Sequence, residues 1–487
     1  MAHSTNGTTA SEVDAPAQDD AASVRSAFER LQAGYQANVY PSYEERRQLL
    51  DKLLEVVLRR REEVAEASVK DWGHRCRVDT LLGDVLTTAG AIKYARKELR
   101  SWMKPERRGT SINYRPAHNR VLYQPLGVVG IIAPWNYPFQ LCLEPLVFAI
   151  AAGNRALVKP SEFTPHTAAL VKSILSEVFD DSWVAVVNGA SEVAQAMTSL
   201  PLNHLMFTGS TRVARMVMKA AAENLVPVTL ELGGKSPALL HPDYPIDKAV
   251  ARVVFGKLYN SGQTCVGVDY LLVQKDRVDA TVESLQKEIR ARYPSIANNP
   301  DYSAIATEPH YKRVMGLVES AVQAGAKAIE IKPEAEEIEP ASRRIAPTLL
   351  TGVTEDMAIM QEEIFGPVLP IVPYEDLSKA LSYINARPRP LAFYYFDTDR
   401  GRANQVLRST LSGTACVNDC VLQFVQDDMP FGGVGSSGMG AYHGREGFET
   451  FSHKRSVFYQ SQINFMGIQA PPYNAKTEKL LRYLFRG

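Results

Sequence analysis

Short apolar runs, each stopped by a breaker, alternate with helical stretches from residue 128 onward. Val128-Val129-Gly130-Ile131-Ile132-Ala133 halts at Pro134, and Ala156-Leu157-Val158-Lys159 halts at Pro160. Val184-Ala185-Val186-Val187 stops at Asn188-Gly189, and Leu205-Met206-Phe207-Thr208 stops at Gly209. Residues 164–179, 192–199 and 211–223 read as the helices that go with them. Unbroken apolar strands alternating with helices require a parallel sheet covered on both faces. Such sheets bind ligands beyond the carboxyl ends of their strands. Here those ends carry Asn136, Lys159 with Glu162, and Thr208-Gly209-Ser210. Similar texture runs over about 235–430, with strand candidates around Tyr270, Ile329 and Val368. A chain of 487 residues exceeds what one core supports, so two layered domains are expected.

Ahead of this region, residues 1–22 are rich in Ser, Thr, Ala and Asp and read as a disordered leader without a signal peptide. A helix is expected over 23–37, and Ser42-Tyr43-Glu44-Glu45 is a capping-box pattern. Leu50, Leu53, Leu54, Val57 and Leu58 then recur at helical spacing. Lys+Arg and Asp+Glu both number 54, which gives no reason to expect a nucleic acid or an anionic membrane as partner. No apolar run reaches the ~18 residues of a membrane span, and Leu480-Leu481-Arg482-Tyr483-Leu484-Phe485-Arg486 is too short and charged to cross. Five scattered cysteines suit a reduced, cytoplasmic protein better than a disulfide scaffold. Neither they nor the nine histidines show metal-ligand spacing, so no metal is expected.

Two positions invite chemistry. Cys265 follows Asn260-Ser261-Gly262-Gln263-Thr264, a stretch suited to a turn that presents a side chain. The residues alone leave two readings open, a buried structural thiol or a nucleophile. Glu231 lies inside the apolar run Val228-Thr229-Leu230-Glu231-Leu232, just before Gly233-Gly234, and could equally point outward and be inert. Gly433-Val434-Gly435-Ser436-Ser437-Gly438 spells a dinucleotide fingerprint, but it follows Asp427-Asp428-Met429-Pro430-Phe431 rather than a strand and is rejected.

Taken together, Pro134-Trp135-Asn136-Tyr137-Pro138, Lys159-Pro160-Ser161-Glu162, Phe207-Thr208-Gly209-Ser210 and Glu231-Leu232-Gly233-Gly234-Lys235 resemble motifs of the aldehyde dehydrogenase superfamily. Gly262-Gln263-Thr264-Cys265, Glu362-Glu363-Ile364-Phe365-Gly366-Pro367 and Pro430-Phe431-Gly432-Gly433 continue the likeness in the family's order, over about residues 23–458. The stretch Gly435-Ser436-Ser437-Gly438-Met439-Gly440-Ala441-Tyr442-His443-Gly444 resembles the class 3 branch, and Asn418-Asp419 with Asp427-Asp428 its coniferyl aldehyde dehydrogenases.

The resemblance implies an α/β fold: a Rossmann-like parallel-sheet NAD(P)-binding domain (23–108 and 124–233) and a second α/β catalytic domain (234–440). It also implies a small β oligomerisation element (109–123 and 449–468), a tail (469–487) and a homodimer. Cys265 is implied to attack the aldehyde, Asn136 to hold the oxyanion with the Cys265 amide, and Glu231 to activate water against the thioester. Lys159, Glu162, Trp135, Thr208, Gly209, Ser210, Glu363 and Phe365 are implied to bind NAD, with NADP also possible. Tyr137 and Phe424 are expected in the substrate pocket, for an aromatic coniferyl-type or a medium-to-long aliphatic aldehyde. Two departures stand out: Ala214 replaces a common Gly where the helix is expected to face the pyrophosphate, and Val266-Gly267-Val268 replaces bulkier neighbours of the nucleophile. An acylating relative that passes the thioester to coenzyme A, a catalytically silent member of the fold and a cysteine hydrolase are the competing readings.

Overall fold

A computed structural model describes residues 18–464 and 470–485. Most of the expected leader (1–17), the end of the expected β element (465–468) and the tail residues 469, 486 and 487 lie outside the described residues. The first helix, Ala21–Ala37, begins inside the span expected as leader. Asp20 caps it in a reciprocal box with Ser23, and the Asp19 carboxylate accepts from the Asn188 amide at 2.8 Å, which ties residues 19 and 20 to the body. Ser42 and Glu45 form the second capping box at the head of Tyr43–Arg59.

Three sheets organise the described chain. The first runs, in spatial order, Gly438–Met439, Val228–Glu231, His204–Thr208, Val128–Ile132, Arg155–Lys159 and Val184–Val186. All neighbours are parallel except the edge strand Gly438–Met439, which pairs antiparallel with Val228–Glu231. That edge strand belongs by sequence to the expected catalytic domain, yet it completes the other sheet. The reason is close approach: a β-carbon at Gly438 would lie 2.1 Å from the Leu230 carbonyl oxygen. The rejected glycine string is therefore a backbone-packing device. Val128–Ile132 is flanked on one side by the next strand in sequence and on the other by His204–Thr208, so the switch of winding direction falls at its carboxyl end.

The second sheet runs Lys327–Glu330, Thr348–Thr351, Val368–Tyr374, Tyr270–Gln274, Pro237–Leu240, Ala392–Phe396 and Thr414–Val417, and only its first pair is antiparallel. The third is an antiparallel ribbon of Glu106–Arg108, His118–Pro125 and Ser452–Tyr459, so it reaches a few residues beyond the expected span at each end. Helix Gln140–Ala152 is buried along its whole length beneath the first sheet. The fold is thus α/β, with a Rossmann-like parallel sheet, a second α/β layer and a small β element. Among the described residues no helix is long and apolar enough to cross a membrane.

Candidate active site

Cys265 is presented by a left-handed turn. Asn260, Ser261 and Gly262 take φ of 50°, 50° and 77°. Non-glycine residues seldom adopt this region, and each costs on the order of 1–3 kcal/mol unless its surroundings enforce it. They do so here. The Asn260 amide donates to Asp79 Oδ2 at 3.1 Å, and Asn260 Nδ2 donates to the Asn136 carbonyl at 3.1 Å. Gln263 Nε2 donates to the Ala304 carbonyl at 3.0 Å, and its Oε1 accepts from the Ala306 amide at 2.9 Å. At Gly262 a β-carbon would meet the Gly366 carbonyl oxygen at 2.4 Å. Asn136 is held beside this turn, its Nδ2 donating to the Gln263 carbonyl at 3.2 Å.

Two cavities meet at Cys265. One, of about 410 Å³, is lined by Trp135, Asn136, Thr208, Gly209, Ser210, Glu231, Glu363 and Phe365 among others. The other, of about 430 Å³, is largely apolar and is lined by Leu82, Leu86, Tyr137, Phe255, Tyr259, Val266, Val421 and Phe424 among others. Glu231 closes the end of its strand, 3% exposed, and neither carboxylate oxygen has a hydrogen-bond partner. Burial holds its carboxyl well above the usual range. Burial also pushes the Cys265 thiol up to about 12, with the carboxylates of Glu363 and Glu231 adding to the effect. Of the five free cysteines, only Cys265 lines either cavity.

The first cavity presents groups suited to a phosphate-bearing ligand. Ser210 caps helix Thr211–Ala222, whose first-turn amides are the usual seat of a phosphate. A β-carbon at Gly233 would lie 2.1 Å from Glu363 Oε2, so glycine alone lets that carboxylate reach the cavity. Phe365 (φ 54°) packs edge-on against Trp135 at 5.4 Å.

The segment carrying Glu363 and Phe365 is fastened by residues that sequence reasoning missed. Arg313 donates to the carbonyls of Glu363 and Ile364, His310 Nε2 lies 2.7 Å from the Phe365 carbonyl, and Asp269 accepts from the Ile364 amide. The only sequence signal was the three-residue spacing of His310 and Arg313 on helix Glu308–Gln323.

Not every expected residue comes to the cavity. Lys159 is 2% exposed and pairs with Glu162 at 3.0 Å; neither lines the cavity. Ala214 does not face a pyrophosphate site either: it is 1% exposed and packs in the apolar cluster with Val193, Met197 and Val217. The amide donor of Ala214 is also taken, by the Ser210 carbonyl. Tyr137 and Phe424 both line the apolar cavity, and the Tyr137 hydroxyl shares a 2.8 Å hydrogen bond with Thr264.

That cavity's wall is built on a second buried network. Arg75 and Asp84 pair at 2.9 Å with both side chains fully buried, and Asp84 Oδ1 accepts from the amides of Phe139 and Gln140 at the head of Gln140–Ala152. Asp84 itself sits on the π-helical turn Leu81–Leu86, a local form that often marks functional sites. Nothing in the local sequence announced it.

The aldehyde dehydrogenase family profile matches residues 2–457. The chain belongs to that family. As a member it is an oxidoreductase that converts an aldehyde to the carboxylic acid with NAD(P). It is 46% identical to a probable coniferyl aldehyde dehydrogenase of Pseudomonas aeruginosa, over 94% of this chain and 95% of that one. It is 41% identical to the 4,4'-diaponeurosporen-aldehyde dehydrogenase of Staphylococcus aureus, over 88% and 92%. Among solved structures it resembles a substrate-bound state of Staphylococcus aureus AldH, with TM-score 0.89 and 38% identity over 95% and 99% of the two chains. It also resembles a Mycobacterium tuberculosis aldehyde dehydrogenase complexed with NAD+, with TM-score 0.84 and 29% identity over 92% of each.

The buried ionisable groups of this dehydrogenase make its stability depend on pH. Burial pushes Glu144 up to about 8 and His443 down to about 3, so their 3.1 Å contact is between neutral groups near pH 7. Glu144 holds a proton in the folded state that the unfolded chain gives up near its ordinary 4.5, so stability is lost as pH rises through this interval. His443 acts oppositely, but only up to its ordinary value of 6.5. Between about pH 6.5 and 8 the buried carboxyl of Glu144 acts without that offset, with a slope of up to about 1.4 kcal/mol per pH unit, and the raised carboxyl of Glu231 acts in the same direction. The melting temperature of the free enzyme is therefore expected to fall across this window; a rise would contradict these protonation states.

Proposed function

We propose that Cys265 is the nucleophile, Asn136 the oxyanion donor and Glu231 the base for water, in the oxidation of an aromatic, coniferyl-type aldehyde. The observation that carries this reading is the meeting at one cysteine of an apolar cavity and a polar cavity lined by the Ser210-capped helix start, with an unpartnered carboxyl lining the polar one.

Aldehyde enters the apolar cavity, the Cys265 thiol gives its proton to solvent, and the thiolate sulfur attacks the carbonyl carbon, whose C=O π electrons move onto oxygen. One Asn136 amide hydrogen is engaged with Gln263, and the other is free to meet the oxyanion together with the Cys265 backbone N–H. When bound, NAD(P) supplies the hydride acceptor through which the adduct becomes a thioester. Ser210, Thr211, Trp135, Glu363 and Phe365 would hold it within the cavity, and the exposed Glu162, outside that lining, would meet the adenine-side ribose beside Lys159. Glu231 then takes a proton from water, hydroxide adds to the thioester carbon, and the Cys265 thiolate leaves. Burial raises this carboxyl and so makes it the stronger proton acceptor when ionised, which suits it to this role. It also supports water as the acceptor, since transfer to coenzyme A gives Glu231 no task.

The substrate class is supported by the aromatic wall of Tyr137, Phe255, Tyr259 and Phe424, and by the coniferyl aldehyde dehydrogenase names of three relatives at 41–46% identity. A panel of cinnamic, benzylic and straight-chain aldehydes tests it; kcat/KM highest for straight chains would overturn the aromatic assignment. NAD is proposed over NADP, because the exposed Glu162 carboxylate would oppose a 2′-phosphate. Two unit charges 4 Å apart in water interact by ~1 kcal/mol. Glu162→Gln is therefore expected to narrow the NAD-over-NADP ratio of kcat/KM by about fivefold, and a wild-type preference for NADP would contradict the assignment. A cytoplasmic homodimer is proposed as well. Ile112, Tyr114, Phe458 and Tyr459 on the three-stranded ribbon and its connection are exposed apolar side chains available for pairing; sedimentation as a monomer would exclude it.

A further inference from the structure

The polar side chains that wall the apolar cavity are nearly all engaged. Tyr137 and Thr264 bond each other, Tyr259 donates to the Asp79 carbonyl, Thr87 donates to the Leu82 carbonyl, and Gln140 donates to Glu144. Besides Cys265, the exception is Asp427, a half-buried carboxylate on this wall that makes no hydrogen bond or ion pair among the described residues. Its neighbour Asp428 is occupied by the Tyr94 hydroxyl. Gly90 faces this carboxylate: a β-carbon there would stand in ordinary contact, 3.6 Å from both of its oxygens. The Asp427 carbonyl approaches Gly444 closely, 2.6 Å from where a β-carbon on that glycine would lie.

An acceptor-only group in an otherwise apolar cavity calls for a ligand with a donor. A hydroxyl brings one donor and matches one carboxylate. A desolvated ammonium brings three, and no second uncommitted acid stands in the wall to meet them. We propose that Asp427 is a specificity residue that accepts a hydrogen bond from a hydroxyl on the body of the aldehyde, away from its carbonyl group, so that hydroxyl-bearing aryl aldehydes are preferred. This rests on the reading of the apolar cavity as the aldehyde site.

The test compares 4-hydroxycinnamaldehyde with 4-methylcinnamaldehyde, which is close in size and lacks the donor. Hydrogen bonds to charged groups support a discrimination of about ten- to hundredfold in kcat/KM for the wild type. Asp427→Leu is expected to bring that ratio to near one, and Asp427→Asn, which keeps a neutral acceptor and the shape, to an intermediate value. A wild-type ratio near one, or a ratio that neither variant changes, would overturn the proposal while leaving the enzyme an aldehyde dehydrogenase. If 4-aminobutanal proved the better substrate and lost its advantage in Asp427→Asn, the hydroxyl assignment would likewise fall. Oxidation of none of these aldehydes by the wild type would remove the functional reading and this proposal together.

Discussion

Cys265→Ser is expected to fold, bind NAD as the wild type does and lose aldehyde oxidation by a factor on the order of 10⁴ or more, the scale on which loss of a covalent nucleophile acts. A serine hydroxyl fits the space, but it is far less nucleophilic than a thiolate. Cys416→Ser is the matched control: Cys416 lies at the edge of the second sheet and lines neither cavity, so activity should persist. With the thiol held near 12, wild-type turnover at neutral pH depends on a base or on bound ligand to ionise it. Turnover should accordingly rise with pH across the neutral range. Near-normal activity in Cys265→Ser would dispose of the mechanism.

Glu231→Gln separates the two halves of the reaction. Its amide is isosteric, and neither oxygen of the native carboxyl has a hydrogen-bond partner to lose, so shape and cofactor affinity should be preserved. A general base contributes ~10²–10⁴-fold to its own step. If that step is hydrolysis, mixing the variant with NAD and aldehyde gives a burst of NADH near one equivalent per site, followed by turnover slowed by that factor. If Glu231 also removes the thiol proton, the burst slows as well, and higher pH partly restores it. A role limited to supporting the turn at Gly233 and Gly234 would instead cost stability or cofactor binding, with no burst and stall.

The parallel sheet was legible because each of its interior strands is a short apolar run ended by a breaker, and observed ends differ from expected ones by a residue or so. The strand Gly438–Met439 was not legible: it has no β-forming side chains and pairs because glycine lets two backbones touch. In the second sheet, Pro237–Leu240, Thr348–Thr351, Ala392–Phe396 and Thr414–Val417 carry weaker signals than the runs near Tyr270, Ile329 and Val368.

At the site, Asn136, Glu231 and Cys265 stood inside local motifs, and all three line the same cavity. Their supports did not. Asp79 reaches Asn260 across 181 residues, and Asp84 reaches Gln140 across 56, separations over which one sequence carries no pairing signal. The resemblance places Ala214 toward the phosphate, by analogy with the family's usual glycine, whereas helical rotation turns it into the core.

The central claim is a covalent acyl group on Cys265 that awaits Glu231. Rapid quenching of Glu231→Gln after one NADH equivalent has formed, followed by peptide mass analysis, tests it most directly. The account predicts the acyl mass on the peptide containing Cys265 and on no other cysteine peptide. NADH formation with unmodified Cys265, or with the label on Cys76, Cys142, Cys416 or Cys420, would contradict it.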